Sequence, residues 1–330
     1  MMIYRVLPSG AYVQKEEKMK PKKYGVVLLA LLLAAMSMVP MVSAQTVTDM
    51  SLHPRAVDNA TVDARTPPLV LSLRSEGMNE SEIAQYLLNM PLSRQPGWTD
   101  ADNERVIGYF ERHPERVTQQ GISPLYQEVQ RDGRMAIDEY DYHGINGYTR
   151  PGNLEVSNTG TEAHYFTSHL GNSGNWVEVG VARFNFSSSQ YTVYTYDSGR
   201  PSGQQWKTWG TTNPNTDHHF IIYVYDYDGT GYPYAIWWDD NLIDSGHVTH
   251  YNNNPDENHE FFAGPAGNFQ SCSQGYFKET FLYKKEGSNY NAYWWNGNLP
   301  ETTQHYSMSP VQHSMTLPSG ANSYKMTTWI

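Results

Sequence analysis

A single cysteine, Cys272, stands in 330 residues, so no disulfide closes within the chain and stability rests on packing. Exported proteins that fold without disulfides belong more often to prokaryotic envelopes and media than to the eukaryotic secretory route. Basic charge is scarce as well. Six of the 23 Lys and Arg residues and two of the 34 Asp and Glu residues fall in the first 44 positions, so the remainder carries 17 basic against 32 acidic groups, a formal charge of −15. A surface of that sign repels phosphate backbones, and no nucleic acid is expected as a partner. Beyond residue 45 there is no apolar run of the roughly 20 residues that a membrane-crossing helix needs, so no membrane span is expected in the mature chain.

The one long apolar run lies at 26–39. Met19-Lys20-Pro21-Lys22-Lys23 precedes it, and Val42-Ser43-Ala44 follows with the small residues that signal peptidase requires. Basic, apolar and small residues in this order read as a secretory signal peptide over 1–44, cleaved after about Ala44, with Met19 as an alternative start. The protein is therefore expected to be secreted or extracytoplasmic. Residues 45–66 read as a flexible linker.

Two hydrophobic periods divide the rest. Residues 67–140 read as a helical, pro-like region: Asn79 caps the run Ser81-Glu82-Ile83-Ala84-Gln85-Tyr86-Leu87-Leu88, and Thr99-Asp100-Ala101-Asp102 caps a second helix reaching Val106, Tyr109 and Phe110. Residues 141–330 change character, with Tyr, Trp, Asn, Gly and Thr in short alternating runs between turn residues. Strands are predicted at 163–168, 176–184, 191–196, 219–226, 232–238, 247–250, 259–263, 276–283 and 292–295, with Asp228-Gly229 as a hairpin turn. Gly144, Gly147, Pro151 and Gly152 suggest a linker over 140–150. Many strands without intervening helices predict an all-β fold: an antiparallel two-sheet β-sandwich preceded by a small helical region.

Within Trp176-Val177-Glu178-Val179-Gly180-Val181, alternation sends the valines to one face and Trp176, Glu178 and Gly180 to the other. A carboxylate in mid-strand beside Trp is either simply exposed or faces a groove. Asn258-His259-Glu260-Phe261-Phe262 repeats the setting, with Glu260 on the face of Asn258 and Phe262, and again the competing reading is an exposed strand-start residue. Two carboxyls close together in a cleft share a proton, which is what an activated-water hydrolysis requires.

Val177-Glu178-Val179-Gly180-Val181, followed by Tyr191-Thr192-Val193-Tyr194-Thr195-Tyr196-Asp197, resembles the core of the neprosin domain. Ala235-Ile236-Trp237-Trp238 after the Asp228-Gly229 turn is similar to that family's hairpin with paired tryptophans. Asn258-His259-Glu260-Phe261 is similar to the Asn-Ala-Glu-Trp segment of the fungal glutamic peptidases, in which a Gln stands where Glu178 would. The neprosin Gly-Gly-Glu segment is not evident near Glu260, and that family's paired cysteines are missing. The resemblance implies a jelly-roll, concanavalin-like sandwich, an N-terminal propeptide and a glutamic peptidase in which Glu178 and Glu260 are catalytic, acting on a peptide or protein substrate. Trp176, Tyr194, Tyr196, Trp206, Trp209 and Trp238 are candidates for substrate binding. The alternative is a noncatalytic carbohydrate-binding or adhesion protein of lectin-like β-sandwich fold, binding polysaccharide through its aromatic faces, because one fold serves both classes.

No metal or cofactor is expected. Asp226, Asp228 and Gly229 read more simply as a hairpin turn than as the start of a calcium loop. His218, His219, His247, His250 and His259 lack the spacing of a zinc site. Cys272 has no adjacent base and reads as a structural thiol.

Overall fold

The computed structural model describes residues 55–112, 129–137, 142–155, 161–172, 175–184, 189–250, 253–264 and 266–330. The signal-peptide reading of 1–44 lies outside these residues. Four helices come first among them: α1 Asn59–Ala64, α2 Pro68–Ser75, α3 Glu80–Leu88 and α4 Asp100–Arg112. The start of α3 is fixed by a capping box, in which the Asn79 side chain accepts from the Ser81 and Glu82 amides and Glu82 returns a bond to the Asn79 amide. Thr99 and Asp102 satisfy each other in the same way before α4. Helix α1 occupies residues for which the sequence predicts a linker.

The strands follow as β1 Val129–Ile137, β2 Tyr142–Arg150, β3 Thr161–Asn172, β4 Asn175–Phe184, β5 Tyr191–Asp197, β6 Trp206–Thr212, β7 His218–Val224 and β8 Tyr232–Trp238. After them come β9 Asn241–Val248, β10 Asn254–Ala263, β11 Gly275–Glu286, β12 Asn289–Trp294, β13 Thr303–Ser307, β14 Gln312–Thr316 and β15 Lys325–Trp329. They pair antiparallel into two sheets, ordered β13-β1-β10-β3-β4-β5-β6 and β14-β15-β11-β2-β7-β8-β9, with β12 also against β11. The expected two-sheet sandwich is the fold.

Several elements differ from expectation for identifiable reasons. Residues 129–137 form β1 rather than the tail of a helix. Residues 142–150 form β2, a buried strand between β11 and β7, rather than a linker. Its glycines serve close packing: a Cβ on Gly144 would stand 2.8 Å from the Ile222 carbonyl oxygen, and one on Gly147 would stand 2.6 Å from the Thr280 hydroxyl. β6 and the short strands β13 to β15 were not anticipated.

The alternation in β4 holds. Val177, Val179 and Val181 are fully buried between the sheets with Phe166, Ile145, Ile222, Ile236 and Leu282, each such side chain contributing about 1.5–3 kcal/mol. A second apolar layer lies on the outer face of the β11-β2-β7-β8 sheet, where Val70, Leu73, Ile83, Ala84 and Leu87 of α2 and α3 pack on Ile221, Tyr223, Trp237, Phe281 and Trp294. The chain then runs past the sandwich side: the Ser93 amide bonds the Leu242 carbonyl on β9 and the Gln95 amide bonds the Trp209 carbonyl on β6, both at 2.8 Å. Helix α4 settles against β6, where Asn103 Oδ1 accepts from the Thr208 amide (2.8 Å) and hydroxyl (3.1 Å).

Candidate active site

Register aligns three rows of side chains on the outer face of the first sheet. Asp256, His169, Glu178 and Tyr196 form one; Asn258, Thr167, Gly180 and Tyr194 the next; Asp132, Glu260, Tyr165 and Ala182 the third. Glu178 and Glu260 thus stand two strands and two rows apart, a Cα diagonal of about 16 Å from the spacings of a sheet. The short residues Thr167 and Gly180 lie between them, so both carboxyls lean over one floor. Gly180 has a backbone reason as well: a Cβ there would meet the Phe166 carbonyl oxygen at 2.3 Å.

A cleft of about 310 Å³ covers this floor and is lined by Glu178, Glu260, Trp176, Tyr165, Thr167, Tyr196, Trp206, Phe262, Gln130, Arg134, His169, Asp256 and Asn258. Glu178 accepts on both oxygens, from the Tyr194 hydroxyl at 2.9 Å and the Trp176 indole at 3.2 Å. Burial raises Glu178 above the usual carboxylate range, against the opposing pull of His169 and of those two bonds. Glu260 accepts on Oε1 from Asn258 (2.7 Å) and Gln130 (3.2 Å), and its Oε2 has no bond among the described residues. Burial, and after it the Glu178 charge, push Glu260 up to about 8. Of the two, Glu260 is held protonated up to about 8, while at Glu178 two hydrogen bonds favour the ionised form against the burial that raises it.

The first row is completed by charge. Asp256 is buried, paired with Arg134 at 2.5 Å and with His169 at 3.5 Å. On the third row, burial raises Asp132, against a bond from Tyr306 and the Arg134 charge.

Of the substrate-binding candidates, Trp176, Tyr196 and Trp206 line the cleft, and Tyr194 lies beneath it, holding Glu178. Trp209 does not reach it. Its ring is buried in the core between the sheets and its indole bonds Thr195 at 2.9 Å, because alternation along β6 turns it inward. Trp238 packs against the same core and borders a separate hollow of about 210 Å³ with Arg94 and Asp239. Gln130, Arg134, His169 and Asp256 were missed. The first two sit on a strand expected to be helix. Asp256 shares the alternation of Asn258 and Glu260, a signal that could have found it. The Asp228 carboxylate binds the Thr230 and Gly231 amides, as a hairpin turn requires.

No family model matches the sequence, and no curated protein matches it. Among solved structures, the chain is similar to scytalido-glutamic peptidase with a peptide-based transition-state analogue, at 9% identity and TM-score 0.39, over 61% of this chain and 98% of that one. A member of the eqolisin family of peptidases in complex with the tripeptide Ala-Ile-His is similar at 9% identity and TM-score 0.37, over the same shares. A Bacillus licheniformis β-glucanase is similar at 11% identity and TM-score 0.27, over 52% of this chain and 79% of that one.

Proposed function

We propose that the chain is a secreted glutamic-type endopeptidase in which Glu178 and Glu260 activate water on a peptide bond. The observation that carries this reading is the pair of carboxyls on one cleft floor with differently placed hydrogen bonds: donors reach both oxygens of Glu178, whereas both donors to Glu260 share Oε1, leaving Oε2 toward the cleft, and Glu260 is pushed up to about 8. Glu178 takes a proton from water as its oxygen attacks the scissile carbonyl carbon. Glu260 gives its proton to the carbonyl oxygen and, as the C–N bond of the intermediate breaks, the proton on Glu178 passes to the leaving nitrogen while one hydroxyl of the intermediate returns its proton to Glu260. Asn258 and Gln130 orient Glu260, and the aromatic walls take apolar side chains of the peptide.

A second reading is favoured by the same walls: Trp176, Tyr196, Trp206 and Phe262 would stack on sugar rings in a polysaccharide-binding protein. One experiment separates them. Chain beginning at Gln45 is incubated with a denatured protein and, in parallel, with insoluble polysaccharides, alongside Glu178→Ala and Trp206→Ala. Proteolysis abolished by Glu178→Ala supports the peptidase. Saccharide retention lost only with Trp206→Ala, without proteolysis, overturns it.

A further inference from the structure

On the inner face of the same strands lies a group of side chains that the cleft does not use. His164 on β3, His259 on β10 and Cys272, between β10 and β11, bring one ring nitrogen each and the sulfur within 4.8 Å of one another. All three are buried. The His164 ring lies flat on Phe261 at 4.6 Å, and His259 packs against Phe166 at 4.5 Å.

The hydrogen bonding fixes what His164 offers. The Tyr191 hydroxyl donates its only proton to the Gly152 carbonyl at 2.6 Å, so its 2.8 Å contact with His164 Nδ1 is donated by the ring. His164 is therefore the Nδ1–H tautomer, and its Nε2 presents a bare lone pair. Among the described residues that atom is buried without a hydrogen-bond partner. His259 repeats the arrangement, with Nδ1 on the Thr328 hydroxyl and Nε2 buried without a partner. Two unpartnered imidazole nitrogens beside a buried sulfur are uncommon in a core, where polar atoms are nearly always satisfied. Metal-binding histidines are oriented by a hydrogen bond from their far ring nitrogen, and here the Tyr191 and Thr328 hydroxyls supply that partner.

We propose that His164 Nε2, His259 Nε2 and Cys272 Sγ form a three-coordinate site for a single copper(I) ion. Two imidazoles and a thiolate in a trigonal set suit copper. Charge decides against zinc: copper(I) with one thiolate is neutral, whereas zinc(II) leaves a net positive charge in an apolar interior, near the Arg183 charge that both His164 and Cys272 sense. Burial pushes His164 down to about 3 and Cys272 up to about 12, so the ring is neutral and the thiol protonated before metal arrives. Binding replaces the S–H bond by S–Cu and releases that proton to solvent, with no electron transferred. Cys272 pairs through both backbone groups with Ile330, and Thr328 stands on β15, so loading accompanies closure of β15 over the site during folding.

The test refolds the full chain anaerobically with one equivalent of copper(I) and then challenges it with bicinchoninate. One copper per chain is expected to survive the challenge and to raise the melting temperature. Cys272→Ser and His164→Phe, the latter keeping the ring stack on Phe261, should each weaken retention by about 100-fold or more, at least the loss that an outer partner alone can cause. The variant His305→Ala/His313→Ala, which removes the exposed histidine pair, should retain copper like the parent. If the single variants do not fold, X-ray absorption of the parent decides, with one sulfur and two imidazole nitrogens expected around copper. No retained copper, retention unchanged in folded Cys272→Ser, or zinc(II) held as firmly as copper(I) would overturn the proposal.

Discussion

Glu178 and Glu260 differ in where their donors fall, on both oxygens of Glu178 but on Oε1 alone of Glu260, and in how far burial raises them, and that difference sets a pH profile. The reaction needs Glu178 ionised and Glu260 protonated. Glu260 loses its proton as pH rises through about 8, so cleavage falls there. Glu178 sits above its ordinary 4.5, so the acid limb also begins above 4.5. A bell lying between these limits is expected for kcat/KM, with apparent values that belong to the pair. Glu260→Gln should remove the alkaline limb and lower the rate by about 10²- to 10⁴-fold, the usual weight of a general acid; an unchanged alkaline limb would move the acid elsewhere. Both glutamates were legible in the sequence because a charge inside an alternating strand stands out. Asp256 shares the alternation of Asn258 and Glu260 on β10, but Arg134 and His169 were not legible, since their roles come from register between β1, β10, β3 and β4, which no single strand reveals. Trp209 and Trp238 looked equivalent to Trp206 in composition, and only the face each one takes separates them.

At the scale of elements, the helical region divides in two. Helices α2 and α3 bury apolar residues on the outer face of the second sheet, the side away from the cleft. Helix α4 is different: Val106 is buried among Tyr165, Phe184, Tyr194, Tyr196 and Phe262, several of which are also cleft walls. If any part of the arm restrains activity, it is α4. Val106→Arg should free the aromatic floor and raise cleavage of a denatured substrate several-fold, whereas equal rates would make α4 a packing element only. Limited proteolysis at 140–150, where glycines suggested a linker, would cut the buried strand β2 and undo the fold. The caps of α3 and α4 were readable because their signals are local. β2 was not, because its glycines look like turn residues and act through partners more than 70 residues away.

For the molecule as a whole, the sequence told the class of fold through alternation and composition, but not the order of strands in either sheet, which depends on pairings distant in the chain. The strap from Ser93 to Gln95 bears on how the protein behaves in company. By bonding β9 and β6, the last strands of the two sheets on that side, it occupies backbone groups that would otherwise be free to recruit a strand from another molecule. A chain starting at residue 113 would bare those two edges together with the apolar outer face once covered by α2 and α3. Light scattering should then show concentration-dependent self-association of the truncated chain, and a monodisperse monomer would count against it. Restraint of its own stickiness is thus a task of the arm that would outlast any role as an inhibitor, and maturation, where it occurs, has to leave the strap in place.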